Sequence, residues 1–300
     1  MELVLGTVQL GLDYGINNRS GKPSDGTALG ILEEAWNGGV RLLDTASAYG
    51  NSEELIGEYH RRSGNRFGVV TKLRSLKEDE LYGNCYDLVR RELKSSLEKL
   101  RIEKADYYFF HNFQDYKAHA CLSEAMGQLK EEGLIGKTGV SLYEPAELEY
   151  LLESAENPPE SVQIPLNILD RRWMTHDLLK RAKGKGIEIF ARSAFLQGLL
   201  FAPDEKLMKI SPAAPMYMEK LRRFCMDTGC TIEEAAFGFV ESQEDVDRLV
   251  VGCETITQLR ENIELFVRMK RGNKRIEEFS ALNYESIPVE ILDPRKWPRE

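Results

Sequence analysis

No apolar run in this 300-residue chain approaches the roughly 18 residues that cross a bilayer. The start, Met1-Glu2-Leu-Val-Leu5, is too short and too acidic for a secretory signal. Positive charge is not in excess: the formal net charge is -9, which argues against nucleic acid or an anionic membrane as the main partner. Cysteines are few and odd in number, Cys85, Cys121, Cys225, Cys230 and Cys253, and none of their spacings suits a metal. They read as reduced thiols of a cytoplasmic protein, with no metal site. Neither a G-x-G-x-x-G turn nor a P-loop pattern is present, so nothing points to an open dinucleotide-binding sheet or a nucleoside triphosphatase.

What remains is 42% hydrophobic residues cut into short pieces. Apolar runs begin near Leu3, Val40, Phe67, Tyr107, Thr138, Ser161, Ile187 and Arg248. Between them lie stretches with apolar residues at helical spacing, such as 86–100 with Leu88, Leu93, Leu97 and Leu100 on one side. Other helices are expected over 27–36, 52–59, 120–132, 145–155, 176–183, 216–227, 232–240 and 256–269, with Ser52 an N-cap and 202–215 a long polar loop. Strand and helix thus alternate eight times with no linker-like break. That predicts one domain over 1–300, a (β/α)8 TIM barrel with eight parallel strands, followed by a charged tail or lid over 272–300.

In such a barrel, functional side chains gather where strands end. Asp44 closes the second run, Lys72 the third and His111 the fourth, and Tyr49 follows Asp44 by a few residues. An ionisable group beside core residues is costly unless paired or used. A lysine ammonium beside a phenol favours the phenolate, and a carboxylate keeps a buried lysine charged. Asp44, Lys72 and Tyr49 make that chain, giving a phenol able to protonate a developing alkoxide, with His111 holding the carbonyl oxygen in line. A hydride must come from a cofactor. Tyr107, Tyr108, Phe109 and Phe110 read as barrel packing, His60, His119 and His176 as solvated, Trp173 and Trp297 as packing or pocket, and Lys270 to Arg275 as a solvated helix end.

Leu5-Gly-Thr7, Asp44-Thr-Ala46, Tyr49-Gly-Asn-Ser-Glu53, Thr71-Lys72, His111-Asn112 and Gly139-Val-Ser141 stand at these strand ends. Further on come Val162-Gln163, Asn167, Arg192-Ser-Ala-Phe-Leu-Gln-Gly-Leu-Leu200 and Gln258-Leu-Arg-Glu-Asn262. In this order they resemble an aldo-keto reductase along nearly the whole chain, of the short bacterial kind. The resemblance implies NAD(P)H-dependent reduction of a small aldehyde or ketone, with Asp44, Tyr49, Lys72 and His111 catalytic, and the likeness of its opening residues to short bacterial members points to a sugar or keto-sugar. It implies that Ser141, Gln163 and, by proximity, Asn167 hold the carboxamide end of nicotinamide. Ser193, Gln197, Gly198 and Leu199 would line the pyrophosphate, and Gly252, Thr255, Gln258, Glu261 and Asn262 the adenosine half. Gly6, Thr7, Arg192 and Phe195 are the remaining cofactor positions.

Three departures from that family pattern stand out. Met1 leads straight into the first strand, where most members begin with a hairpin plug. Arg192 occupies the place of an aromatic that stacks on nicotinamide, although a guanidinium plane also stacks. The stretch 252–255 and Gln258 offer no cation to a 2′-phosphate, with Arg260 the nearest basic residue in sequence. The choice between NADPH and NADH stays open, as does the oligomeric state. Two other functions are compatible with the residues: a Schiff-base aldolase or isomerase using Lys72 as nucleophile, and a regulatory subunit that binds cofactor with little turnover.

Overall fold

The computed structural model describes all residues except 19–20, 78–79, 81–83, 156–157, 271–278, 280–281, 283–286 and 299–300. Eight strands, β1 (Glu2–Gly6), β2 (Leu42–Asp44), β3 (Gly68–Leu73), β4 (Ala105–Phe110), β5 (Ile135–Ser141), β6 (Ser161–Pro165), β7 (Glu188–Arg192) and β8 (Arg248–Gly252), pair in sequence order and close into a barrel. Every pairing is parallel, and β8 returns to β1 with Gly252 opposite Gly6. The outer helices in chain order are α1 (Val8–Gly11), α2 (Asp25–Asn37), α3 (Ser52–Ser63), α4 (Cys85–Leu100), α5 (Phe113–Ala118), α6 (Ala120–Glu131) and α7 (Pro145–Glu153). They continue with α8 (Leu178–Gly184), α9 (Asp204–Ile210), α10 (Ala214–Thr228), α11 (Ile232–Glu241), α12 (Ile256–Lys270) and α13 (Val289–Leu292).

Side chains alternate between the two faces of a strand, and that alternation layers the barrel interior. Val4, Val70, Tyr107, Phe109, Phe190 and Val250 form an apolar plug, with Phe109 and Phe190 edge to face at 5.6 Å. Below it, Tyr107 donates to Glu188 and accepts from Arg248, and Lys137 pairs with Glu188. Above it, two residues further along each strand, come Lys72 after Val70, His111 after Phe109, Arg192 after Phe190 and Gly252 after Val250. Gly139 is required by the plug, since a Cβ there would lie 2.2 Å from the Phe109 ring. The aromatic run expected to pack the barrel splits by the same rule, with Tyr108 and Phe110 turned outward into the helix layer. Phe279, Leu282, Ile287, Ile291, Leu292 and Trp297 of the tail are buried in that same layer.

Several expectations are corrected. The stretch 202–215 is not a loop throughout: α9 forms there, with Asp204 and Glu205 in its first turn and Leu207 fully buried as its anchor. The helix expected from His176 starts at Leu178, because His176 and Asp177 have positive φ and end a 3-10 segment over Arg172–Asp177. His60 is not solvated but buried; its Nε2 accepts from the Phe67 N–H, so Nδ1 carries the proton donated to the Leu100 carbonyl. Cys85 and Cys121 are not free thiols: the packing of α4 on α6 brings their Cα atoms to 5.9 Å and they form a disulfide. Trp173 and Trp297 are both buried, the latter donating to the Ile291 carbonyl. Of the basic cluster 270–275, only Lys270 lies within the described residues. Among the described residues no helix is long and apolar enough to cross a membrane.

Candidate active site

At the upper end of the plug, Asp44 and Lys72 form an ion pair that is 5% and 1% exposed. Lys72 Nζ donates to Asp44 Oδ1 at 2.8 Å and to the Thr45 carbonyl at 2.8 Å. The same carboxylate oxygen accepts from Gln163 Nε2 at 2.7 Å. Burial pulls the Lys72 ammonium below its ordinary value, and the Asp44 carboxylate opposes this. The backbone behind the pair is fixed by a run of hydroxyls. Thr45 Oγ1 donates to Ser52 Oγ, Ser52 Oγ to Thr7 Oγ1, and Thr7 Oγ1 to the Asp44 carbonyl, at 3.0, 2.8 and 3.0 Å. Ser52 is therefore not the N-cap of α3, a position taken by Asn51; its hydroxyl is spent inside the site.

Tyr49 stands in the loop after β2, held by its N–H to the Ala46 carbonyl and by its own carbonyl to the Ser52 N–H. Gly11 of α1 packs directly on that carbonyl, where a Cβ would come within 1.8 Å. Lys72 Nζ lies 5.1 Å from the centre of the Tyr49 ring, and the His111 ring meets it edge-on at 5.7 Å and 84°. Burial and the Asp44 carboxylate hold the phenol above its ordinary value, with Arg192 opposing them. The expected lowering by Lys72 is not found: burial and the Asp44 carboxylate prevail. His111 is pushed down to about 4, first by burial and then by Lys72, with Asp44 opposing and Arg192 assisting.

Asp44, Tyr49 and His111 face a cleft of about 760 Å³, and Lys72 sits behind Asp44. That volume is within the range of small-molecule and cofactor sites. Of the sixteen residues expected to bind cofactor, Asn167, Leu199 and Thr255 are absent from its walls and the other thirteen line it. Leu199 is fully buried in the helix-layer core. Asn167 accepts from the Leu169 and Asp170 N–H groups. Thr255 and Gln258 cap each other at the start of α12, each side chain accepting from the other's backbone N–H.

Tyr14, Tyr143 and Gln9 also line the cleft, and the sequence reading gave them no role. Their only signal was position: Gln9 in the short α1 and Tyr14 in the loop after it, both past β1, and Tyr143 in the turn past β5. The walls suit a dinucleotide in two respects. Gln9 Oε1 is a buried acceptor with no protein partner. Glycines Gly6, Gly198 and Gly252 bring backbone to the cleft wall, and Gln9 packs on Gly252 where a Cβ would lie 2.2 Å from its Oε1. The residues present therefore fit a nicotinamide dinucleotide.

Residues 2–283 match the model of the Aldo/keto reductase family. The L-galactose dehydrogenase of Arabidopsis thaliana is 25% identical over 297 residues, covering 93% of this chain and 89% of that protein. The NADH-specific methylglyoxal reductase of Escherichia coli (strain K12) is 25% identical over 266 residues, covering 77% and 79%. An aldo-keto reductase of Bacillus halodurans, solved in its holo form, superposes with a TM-score of 0.75 at 20% identity, covering 97% of this chain and 95% of that one.

The depressed His111 value has a measurable consequence. Between an unfolded value near 6.5 and a folded value of about 4, the unfolded chain binds the extra proton, so stability falls as pH drops through that window. The urea midpoint should decline from pH 6.5 to pH 4 and decline less in His111→Gln. An equal decline in both proteins would show that His111 is not held neutral.

Proposed function

This chain belongs to the aldo/keto reductase family, and we propose that Tyr49 is the proton donor of its carbonyl reduction. As a member it is an NAD(P)-dependent oxidoreductase acting on small carbonyl compounds. The observation that carries the finer reading is the convergence of Tyr49, His111 and the Lys72–Asp44 pair on one end of the cleft.

Reduced nicotinamide, when bound, supplies the hydride. A phenol held above its ordinary value stays protonated at neutral pH, which is the state a proton donor needs. As the Tyr49 hydroxyl gives its proton to the carbonyl oxygen, negative charge develops on the phenol 5.1 Å ring-to-ammonium from Lys72. Lys72 and Arg192 then favour that charge more than they favoured the neutral phenol. Neutral His111 offers one ring N–H to the same oxygen and adds no charge. Ser141 and Gln163 would hold the carboxamide, Ser193, Gln197 and Gly198 the pyrophosphate, and Gln258, Glu261 and Asn262 the adenosine. The phenols of Tyr14 and Tyr143 in the cleft support a small hydroxylated substrate such as a sugar aldehyde or keto-sugar. Residues 1–300 are taken as one domain with 272–300 as its tail, a reading supported by the burial of Ile291 and Trp297 against the helix layer.

A Schiff base on Lys72 is disfavoured by the geometry, because the ammonium donates to Asp44 and Thr45 and does not border the cleft. Tyr49→Phe keeps the ring and removes the proton, so kcat should fall by about 10²–10⁴ with the Kd for nicotinamide cofactor little changed. Full activity in this variant would remove Tyr49 from the mechanism.

The far end of the cleft is acidic, with Glu233, Glu254 and Glu261 in its walls. Among the described residues its one lining cation there, Arg268, pairs with Glu234 at 3.0 Å, and Arg260 is tied to Glu34 at 2.8 Å outside the cleft. A 2′-phosphate would meet net negative charge, so NADH should bind more tightly than NADPH, by up to about tenfold or 1.4 kcal/mol. Glu254→Gln should move the ratio of binding constants toward NADPH. Tighter binding of NADPH by the unaltered protein would contradict this account of the adenosine end.

A further inference from the structure

Three guanidinium groups surround Tyr143 at the rim of the barrel. Arg172 reaches the Tyr143 carbonyl at 3.3 Å, while Arg192 and Arg295 lie over its ring at 4.3 and 3.5 Å. Two of the three have carboxylate partners. Arg172 pairs with Asp170 at 2.8 Å and Glu144 at 2.7 Å, and Arg295 pairs with Asp293 at 2.7 Å. Arg192 has none within 4.0 Å among the described residues; besides the Tyr143 ring, it donates to the Leu142 carbonyl at 3.2 Å and Ser193 Oγ at 3.4 Å. Both are neutral acceptors, and they leave most of its N–H donors uncommitted.

Arg192 is also the one of the three that lines the cleft. It ends β7 two residues after Phe190, which sits in the barrel plug, so strand alternation turns it toward the mouth that Tyr49 and His111 border. Its charge is felt at both of those groups. Asp44, the acid of that mouth, is already committed to Lys72 and Gln163. With the Asp44–Lys72 pair neutral and His111 uncharged, the reacting end of the cleft carries one positive charge without a counter-ion. A half-buried guanidinium without a carboxylate partner carries a desolvation cost that a bound anion offsets. Its planar fork suits a carboxylate in two-point contact.

We propose that Arg192 makes this site select carbonyl substrates that also carry a carboxylate, such as keto acids or uronic-acid aldehydes. The proposal rests on the reductase reading above. In the reaction, hydride from reduced nicotinamide adds to the carbonyl carbon, the Tyr49 proton adds to its oxygen, and alcohol and oxidised nicotinamide result. Tyr49 recovers its proton from solvent, and the carboxylate passes through unchanged. The cofactor's pyrophosphate is the other anion that such a group would meet. Every substrate shares it, so comparing an acid with its own ester at saturating cofactor removes that source.

The test measures kcat/KM for glyoxylate, succinate semialdehyde and 4-formylbenzoate, each against its methyl ester, because the reach from carbonyl to carboxylate differs among them. At least one acid should be preferred over its ester by about tenfold or more. The preference should collapse toward unity in Arg192→Met and return in part in Arg192→Lys, whatever these variants do to absolute rates. Calorimetry with 4-(hydroxymethyl)benzoate and its methyl ester reads the same selectivity without turnover. If no carbonyl compound is reduced, the reductase reading falls while calorimetry still decides the role of Arg192. Acid-to-ester ratios near one throughout, or a preference that survives in Arg192→Met, would overturn the proposal.

Discussion

The buried ion pair between Lys72 and Asp44 is the constraint on which the site depends. Two charges at 1% and 5% exposure are tolerated only with their hydrogen bonds satisfied. The protein meets that demand from four directions: Thr45 and Asp44 accept from the ammonium, Gln163 donates to the carboxylate, and the Thr45–Ser52–Thr7 hydroxyls hold the Asp44 backbone. These groups come from β2, β3, β6, α3 and the turns after β1 and β2, so the pair is fully satisfied only when these elements are assembled. Tyr49 inherits its position from the same loop. Gly11 of α1, pressed against the Tyr49 carbonyl, ties it to the neighbouring strand end.

The electrostatics of the site are less simple than a lysine activating a tyrosine. In the folded protein burial and the Asp44 carboxylate together keep Tyr49 protonated, against the opposing charge of Arg192. Burial also keeps His111 neutral. Charge separation is thus disfavoured before reaction and is favoured only as negative charge moves onto the phenol, a preorganised field that acts where charge develops. Arg192 is the exception, a cation with no carboxylate partner among the described residues, next to these groups.

Much of this was legible in the sequence because strands and sites obey one periodicity. Asp44, Lys72 and His111 stood out as ionisable residues ending apolar runs, and the two-residue repeat of a strand is what brings them to one rim. The eight-fold alternation gave the barrel for a similar reason: buried parallel strands have to be short and apolar. What was not legible depended on contacts between distant segments. Cys85 and Cys121 are 36 residues apart and meet only because α4 packs on α6. His60 and Ser52 looked like surface and cap residues, since nothing local reveals that their helix turns those positions inward. Tyr14 and Tyr143 are loop aromatics like others in the chain until the barrel sets them around one cleft. The helix α9 was hidden because its seven residues offer a single fully buried apolar anchor, Leu207, between two prolines.

The central claim is that Tyr49 and Lys72 act on a single proton. A double-mutant cycle on kcat with Tyr49→Phe and Lys72→Met tests it directly, with circular dichroism confirming that each variant is folded. If the two residues form one unit, the double variant should be little worse than the worse single one, since the second change removes nothing that the first has left working. Losses that multiply, each variant costing its full factor in the presence of the other, would mean that the two side chains serve separate steps and would contradict the account.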